Sequence, residues 1–399
     1  MISSISRVRP QRHAPRWWRR RAGGALVAAG LAGLMAMVPA SPALAAAWSV
    51  VATPNPASFD NRFNGTDALS TTDAWAVGSS QATWNSATTA LAARWNGSAW
   101  SQVGLPAVSG NSALADVDGD TATNVWAVGS AGTATLTERW TGSAWSVVTS
   151  PTPAGATSAT FRGTKAFAAN DAWAVGEYSM SASPSRRTLI ARWNGTAWAQ
   201  VPSPDPDSAQ NLLVAVDGVA ANDVWAVGNM GTDGYGGDTV AGLMLRWNGS
   251  TWTQVALPGG TGWQTGFSTR KLNDLVVVAS NDVWAIGTAF SFQKFFFVPY
   301  YAHWNGQNWT EGMLPNAGMG ALTSITALST TKVYAFGEEG GQRLIARWNG
   351  SAWSREAAPA TLGPLNDATA TGTGTVWAVG TQFDANNNRR TLALRTTNG

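Results

Sequence analysis

The chain has 399 residues, 26 Lys and Arg against 23 Asp and Glu, two His, 23 Trp and no Cys. Seven Arg and no acid lie in residues 1–45, so the remainder carries 19 basic and 23 acidic residues, a net charge near −4. That balance excludes the basic footprint of a nucleic-acid binder. The missing Cys excludes disulfides and thiolate metal sites, and the single His after residue 45, His303, excludes a multi-His metal site.

Residues 1–21 form a head carrying Arg7, Arg9, Arg12, Arg16, Arg19, Arg20 and Arg21. Residues 22–38 are an apolar run of mainly Ala, Gly and Leu, followed by Pro39, Pro42 and the small-x-small pattern Ala43-Leu44-Ala45. This layout predicts a secretory signal peptide over 1–45. The apolar run falls short of the ~20 residues a membrane span needs, so cleavage is expected over a retained anchor. Arg19-Arg20-Arg21 fits twin-arginine export, whereas Ala22-Gly23-Gly24 fits it poorly, and the route stays open. The expected product starts Ala46-Ala47-Trp48, is extracellular and monomeric, and has no membrane contact after cleavage.

From residue 46 onward one unit recurs seven times, at about 50 residues. Versions of D-x-W-A-V-G occupy 73–78, 124–129, 171–176, 223–228, 282–287, 332–337 and 375–380. Each is followed by a version of L-x-x-R-W-N-G, worn in the last copy, and six are followed by a further Trp: Trp100, Trp145, Trp198, Trp252, Trp309 and Trp353. Of the 21 Trp after residue 45, 19 hold motif positions, and only Trp84 and Trp263 do not. Fixed self-similarity at this period marks a repeat architecture.

Each unit reads as four strands. Val125-Trp126-Ala127-Val128 alternates large and small at period two. Leu91-Ala92-Ala93-Arg94-Trp95 is a second strand and Trp100-Ser101-Gln102-Val103 a third. Asn96-Gly97 predicts a two-residue type I′ hairpin between them, which would set Trp95 opposite Ser98 and Trp100 opposite Ala93. A smaller fourth strand, such as 113–117, precedes the D-x-W motif. Four short antiparallel strands repeated radially make an all-β seven-bladed β-propeller over 46–399. The last unit lacks its Trp strand, and the segment Trp48-Ser49-Val50-Val51 supplies one. The N-terminal strand is therefore expected to complete the C-terminal blade and remove two open sheet edges.

The strand–small–Gly, aromatic, turn and Trp pattern resembles the kelch repeat of galactose-oxidase-type propellers. A single Gly stands where kelch has a pair, and Trp95 stands where kelch usually has Tyr. Read from its Trp strand, the unit also looks like the tectonin repeat of propeller lectins, although it is longer. The resemblance covers essentially all of 48–399 and implies the propeller. Fold does not give function, and the oxidase's copper ligands and Cys–Tyr link are absent from this sequence.

A sialidase box, S-x-D-x-G-x-x-W, is also absent. His303 stands where other units have Arg94, Arg192 and Arg246, and so reads as a structural substitute rather than a lyase base. Recurring Asp73, Asp171, Asp223 and Asp282 read as structural partners of that Arg, and the motif Trp as packing between blades. Asp116-x-Asp118-Gly119-Asp120 has Thr121 and Ala127 where a calcium loop needs Gly and Glu. The Asn of the N-x-S/T triplets at Asn96, Asn194, Asn248 and Asn349 are turn residues first. No metal or cofactor is expected.

The variable connections at the opposite end from the Asn-Gly hairpins are the candidate ligand face. They carry Trp84, Trp263, Tyr178, Tyr235, Arg187, Phe292, Lys294, Asp60, Arg62 and Arg390, with Phe59, Phe63, Phe161, Arg162 and Arg270 nearby. The stretch 290–301 either extends its blade's strands inward or forms an exposed apolar patch. Aromatic residues among Asp, Asn and Arg suit a glycan surface. The expected function is a non-catalytic binding module for an extracellular carbohydrate or protein. The alternatives are a polysaccharide hydrolase or lyase using loop carboxylates such as Asp60, Asp233 or Asp384, and a purely structural surface protein.

Overall fold

A computed structural model of the protein describes residues 48–181, 185–231, 240–257, 266–360, 363–372 and 374–397. The predicted signal peptide lies outside them. Their regular structure is 28 strands in seven four-stranded antiparallel sheets. The chain is a seven-bladed β-propeller. Blade 1 shows the common order: inner strand Asp60–Ser70, second strand Asp73–Gln81, third strand Thr89–Trp95 and outer strand Trp100–Val103. Blades 2 to 6 span 112–147, 158–200, 211–254, 267–313 and 320–356, and blade 7 contributes 365–396.

The N-terminal strand Ser49–Val51 pairs antiparallel with Arg389–Thr396 and forms the outer strand of blade 7. Trp48 lies in the seam with blade 6, edge-on to Tyr334 and Phe336, and its indole N–H donates to Glu356. The segment after the strand is bound too. Thr53 donates to the Thr391 carbonyl, and Asn55 accepts from the Thr391 amide. The strand therefore contributes both a ladder and a buried ring to closure.

Two expectations about the unit change. The inner strand is among the longer strands of a blade, up to 13 residues in blade 5, not a small fourth one. The Asn-Gly turn is a four-residue loop that sets Trp95 directly opposite Trp100. Only Gly97 takes a positive φ. The Asn96 carboxamide oxygen accepts from the amides of Ser98 and Ala99, at 3.0 and 2.9 Å. This Asx turn replaces the second left-handed residue a type I′ turn would need, and it recurs at Asn194, Asn248, Asn305 and Asn349.

Directly opposed Trp pairs build the seams. Trp75 of blade 1 packs on Trp140 and Trp145 of blade 2, each 5.0 Å away between centroids. Trp126, Trp173, Trp284 and Trp377 repeat this contact with the next blade at 4.9–5.4 Å. The Gly of W-A-V-G has an equally local cause. Each inner strand carries a β-bulge opposite it. At Gly78 a Cβ would lie 2.1 Å from the Arg62 carbonyl oxygen, and the other six copies are as tight.

One seam holds a misfit. Glu138 of blade 2 occupies the position of Ala93, Ala191 and Ala346 in their third strands. It is fully buried, neither oxygen has a hydrogen-bond partner, and burial pushes its carboxyl up to about 7.

Removing residues 46–52 from a chain that begins at Ala46 should lower Tm by about 10 °C or more, given the burial of a Trp and the loss of one ladder. Thermal unfolding of the truncated chain checks this, and an unchanged Tm would refute strand closure. Glu138→Ala should stabilise the protein. The folded carboxyl binds its proton more tightly than the unfolded one, so its cost grows as pH rises through about 7. The gain should be small at pH 5 and on the order of 3 kcal/mol at pH 8, read by denaturant unfolding at both.

Candidate functional site

The Asn-Gly end of the ring is occupied by structural pairs. Arg94 forks onto Asp73 at 2.7 and 2.8 Å and stacks over Trp75 and Trp140. Arg192 does the same to Asp171 and Trp173, and Arg246 to Asp223 and Trp225. In blade 5, His303 bonds Asp282 at 2.8 Å and lies stacked on Trp284 at 3.8 Å. It stands toward Asp282 and Trp284 as Arg94, Arg192 and Arg246 stand toward the Asp and Trp of their own blades.

The central channel, about 240 Å³, is lined by the inner strands. Asp67, Asp116, Asp118, Asp217, Asp274 and Asp367 line it with Lys165. These carboxylates clamp blade to blade. Asp116 accepts the Thr164 amide, Asp274 the Ile325 amide and Asp367 the Thr66 amide, at 2.7–2.8 Å. Asp67, Asp118 and Asp217 accept amides of Gly119, Ala166 and Val277 two positions further along. Bulge residues Asn64, Asn273 and Asn366 donate to carbonyls of the following blade. Burial pushes Asp67 up to about 7 and Asp367 to about 6. Burial alone would lower the Lys165 ammonium, but Asp118 at 3.1 Å and Asp217 at 3.3 Å raise it. Among the described residues no group of three or more His, Cys, Asp or Glu has metal-binding geometry. The Asp116/Asp118 pair clamps blade 2 to blade 3 through the Thr164 and Ala166 amides.

The sequence reading missed this ring. Its positions run Gly65, Asp116, Gly163, Ala215, Asp274, Ser324 and Asp367, and two residues later Asp67, Asp118, Lys165, Asp217, Val276, Thr326 and Thr369. Asp recurs too irregularly there to register as a motif. The usable signal was the large apolar residue two positions before each, from Phe63 to Leu365.

At the loop face the candidates divide. Trp263 and Tyr235, with Asp233, lie outside the described residues. Phe63 and Phe161 are buried core. Tyr178 packs half-buried on the core of blade 3, paired across strands with the half-buried Arg187. Arg270 is buried, forking onto Glu311, which also accepts from the Tyr300 hydroxyl at 2.7 Å. The 290–301 stretch extends the second and third strands of blade 5, Asp282–Ser291 and Phe296–Trp304. Phe292 is half-buried against Phe290, Lys294 is exposed, and Phe295 at the tip is 71% exposed.

Where blade 7 meets blade 1, the structure brings several candidates together. Trp84, on the loop after the second strand of blade 1, is 78% exposed and stands edge-on to Phe59 at 6.0 Å. Gln81 fixes the loop by donating to the Trp84 and Ser86 carbonyls. Asp60, adjacent to Phe59, accepts from Arg62 and from Arg389 of blade 7. Arg389 in turn lies 5.9 Å over the half-exposed Phe383. Arg390 is held by Asp384 and by the carbonyls of Ala57 and Ser58, so it fastens the N-terminal segment.

Burial pushes Asp60 up, but the hydrogen bonds from Arg62 and Arg389 outweigh it and hold the carboxyl below its usual range. Asp384 is also lowered, first by the Asn388 amide. Carboxyls held ionised suit ion pairing. A general acid at neutral pH needs the opposite shift.

No family model matches the chain, and no curated protein matches it significantly in sequence. Solved structures do match its fold. It is similar to YCF48 bound to D1 peptide, at 15% identity and TM-score 0.56, over 90% of this chain and 99% of that one. It is similar to the GH74 xyloglucanase from Xanthomonas campestris, at 13% identity and TM-score 0.53, over 87% of this chain and 55% of the enzyme. A third is the extracellular domain of a putative hybrid two-component system from B. thetaiotaomicron, at 10% identity and TM-score 0.51, over 89% of this chain and 43% of that one. These likenesses show the propeller.

Lys165→Met should destabilise the ring, because Asp118 and Asp217 would face each other without their cation. Breaking a buried pair costs about 3–5 kcal/mol. Protonation relieves the repulsion, so the deficit should shrink from pH 8 to pH 5 in denaturant unfolding.

Proposed function

We propose that this chain is a secreted, non-catalytic binding module that takes an extracellular glycan or protein ligand on its loop-rich face. The observation that carries the reading is Trp84: a large ring, 78% exposed, on a loop tied down by Gln81 and edge-on to Phe59. An ordered, bare aromatic beside hydrogen-bonding groups fits ligand capture on a rigid scaffold. The opposite end spends its Trp, Arg and Asp on itself. The hydrolase alternative is weaker, because Asp60 and Asp384 are neutralised by arginines and held ionised. Among the similar folds, one was solved with a peptide and one is a xyloglucanase, which is in keeping with either kind of ligand.

Glycan and peptide arrays probed with the mature chain test the reading. Trp84→Ala should weaken the detected interaction by about tenfold or more, as removal of an anchoring aromatic does. Tm should barely move, because the ring is exposed. Binding that Trp84→Ala leaves unchanged would refute the site.

A further inference from the structure

The negative charge of the folded part is not on the loop face. Six aspartates and Lys165 share the channel. Counted as ionised they give −5, more than the whole net charge of about −4 after residue 45. The rest of that segment therefore sums to about +1.

At the corner of blades 7 and 1 this surplus is local. Asp60 lies beneath two guanidiniums, its side chain 8% exposed against 42% for Arg62 and 43% for Arg389. Arg62 spends Nε and Nη2 on it, and Arg389 spends Nη1. Among the described residues, Arg62 Nη1 and Arg389 Nε and Nη2 have no partner. The corner thus carries one uncompensated positive charge, with the half-exposed ring of Phe383 against Arg389 and the bare ring of Trp84 against Phe59, the neighbour of Asp60.

We propose that this corner binds a uronate polysaccharide, with Trp84 under an apolar pyranose face and Arg62 and Arg389 on the ring carboxylate. Planar guanidiniums match carboxylates, and a charge-assisted pair is roughly twice as strong as a neutral hydrogen bond. A neutral glycan would use the ring and leave the guanidiniums unmatched. A purely acidic peptide would satisfy the guanidiniums but has no planar apolar face for a bare indole. The inference rests on the loop face being the binding surface, and it adds the class of ligand.

The test uses the mature full-length chain, polygalacturonate, its methyl-esterified form and poly-aspartate, with affinities read by calorimetry at two salt concentrations. The ester keeps the pyranose faces and removes the charge. The wild type should bind the acid at least about tenfold more tightly than the ester, and high salt should narrow the gap. Asp60→Asn with Arg62→Gln and Arg389→Gln, which removes the charges without orphaning Asp60, should abolish the preference and keep weak binding to the ester. Arg139→Gln at the Asn-Gly end, which removes one positive charge without orphaning a carboxylate, should leave the preference intact. Trp84→Ala should weaken both polymers. Equal wild-type affinity for acid and ester, binding of neither, tighter binding of poly-aspartate, or a preference that survives the triple variant in folded protein would each overturn the ligand class. If binding stays sensitive to Trp84→Ala while being blind to esterification, the loop-face reading stands and the uronate does not. If any observed binding ignores Trp84→Ala, the loop-face reading itself falls.

Discussion

The contact on which the rest depends, made in five of the seven seams, is one indole of a blade set against the opposed indole pair of the next. Trp75 between Trp140 and Trp145 is the pattern, and Trp377 on Trp95 and Trp100 carries it across the junction of last blade and first. Buried Trp supplies large apolar area and edge-to-face geometry. The cost is visible: the indole N–H groups of Trp75, Trp126, Trp173, Trp225, Trp284 and Trp377 have no hydrogen-bond partner. An unmet buried donor costs about 1–3 kcal/mol, so ring packing must outweigh it at each seam. A four-residue Asx loop, rather than a two-residue turn, brings the pair into direct opposition. Blade 6 carries Tyr334 in place of Trp, and there the N-terminal Trp48 meets it edge-on.

Toward the axis, polar bonds replace rings. The bulge in each inner strand offsets the ladder, and Asp or Asn side chains there reach the backbone of the following blade. The same bulge brings a carbonyl against W-A-V-G and forces glycine. One local distortion thus sets both the repeated Gly and the blade clamps. It also concentrates negative charge in the channel, which frees the outer loops to be arginine-rich in a chain whose total is acidic.

The two ends of the ring differ in what their side chains are spent on. At the Asn-Gly end, forked Arg–Asp pairs and stacked guanidiniums satisfy one another. At the other end the connections vary, and the blade 7–blade 1 corner leaves the rings of Trp84 and Phe383 exposed beside the half-exposed Arg62 and Arg389. The closure strand and the candidate site share this corner: Arg390 holds the N-terminal segment, while its neighbour Arg389 reaches Asp60. The device that closes the ring also helps position the site.

Seven near-identical units determined the β-propeller from sequence alone, because a period of about 50 residues and two-residue alternation are local properties of the chain. Strand closure was legible for the same reason: the missing Trp strand of one end stands at the other. So was the Arg role of His303, from its place in the unit. Tertiary structure decided what depends on neighbours distant in sequence. Asp60 looked like a free loop acid until Arg389, 329 residues away, came to cover it. Asp116 and Asp118 failed the pattern of a calcium loop and had no assigned role until amides of the next blade met them. Phe63 and Phe161 looked like loop aromatics until the bulged inner strands buried them. A repeat fixes what each residue does inside its own unit, whereas charge pairing, burial and ligand geometry are set between units, by contacts that have no period.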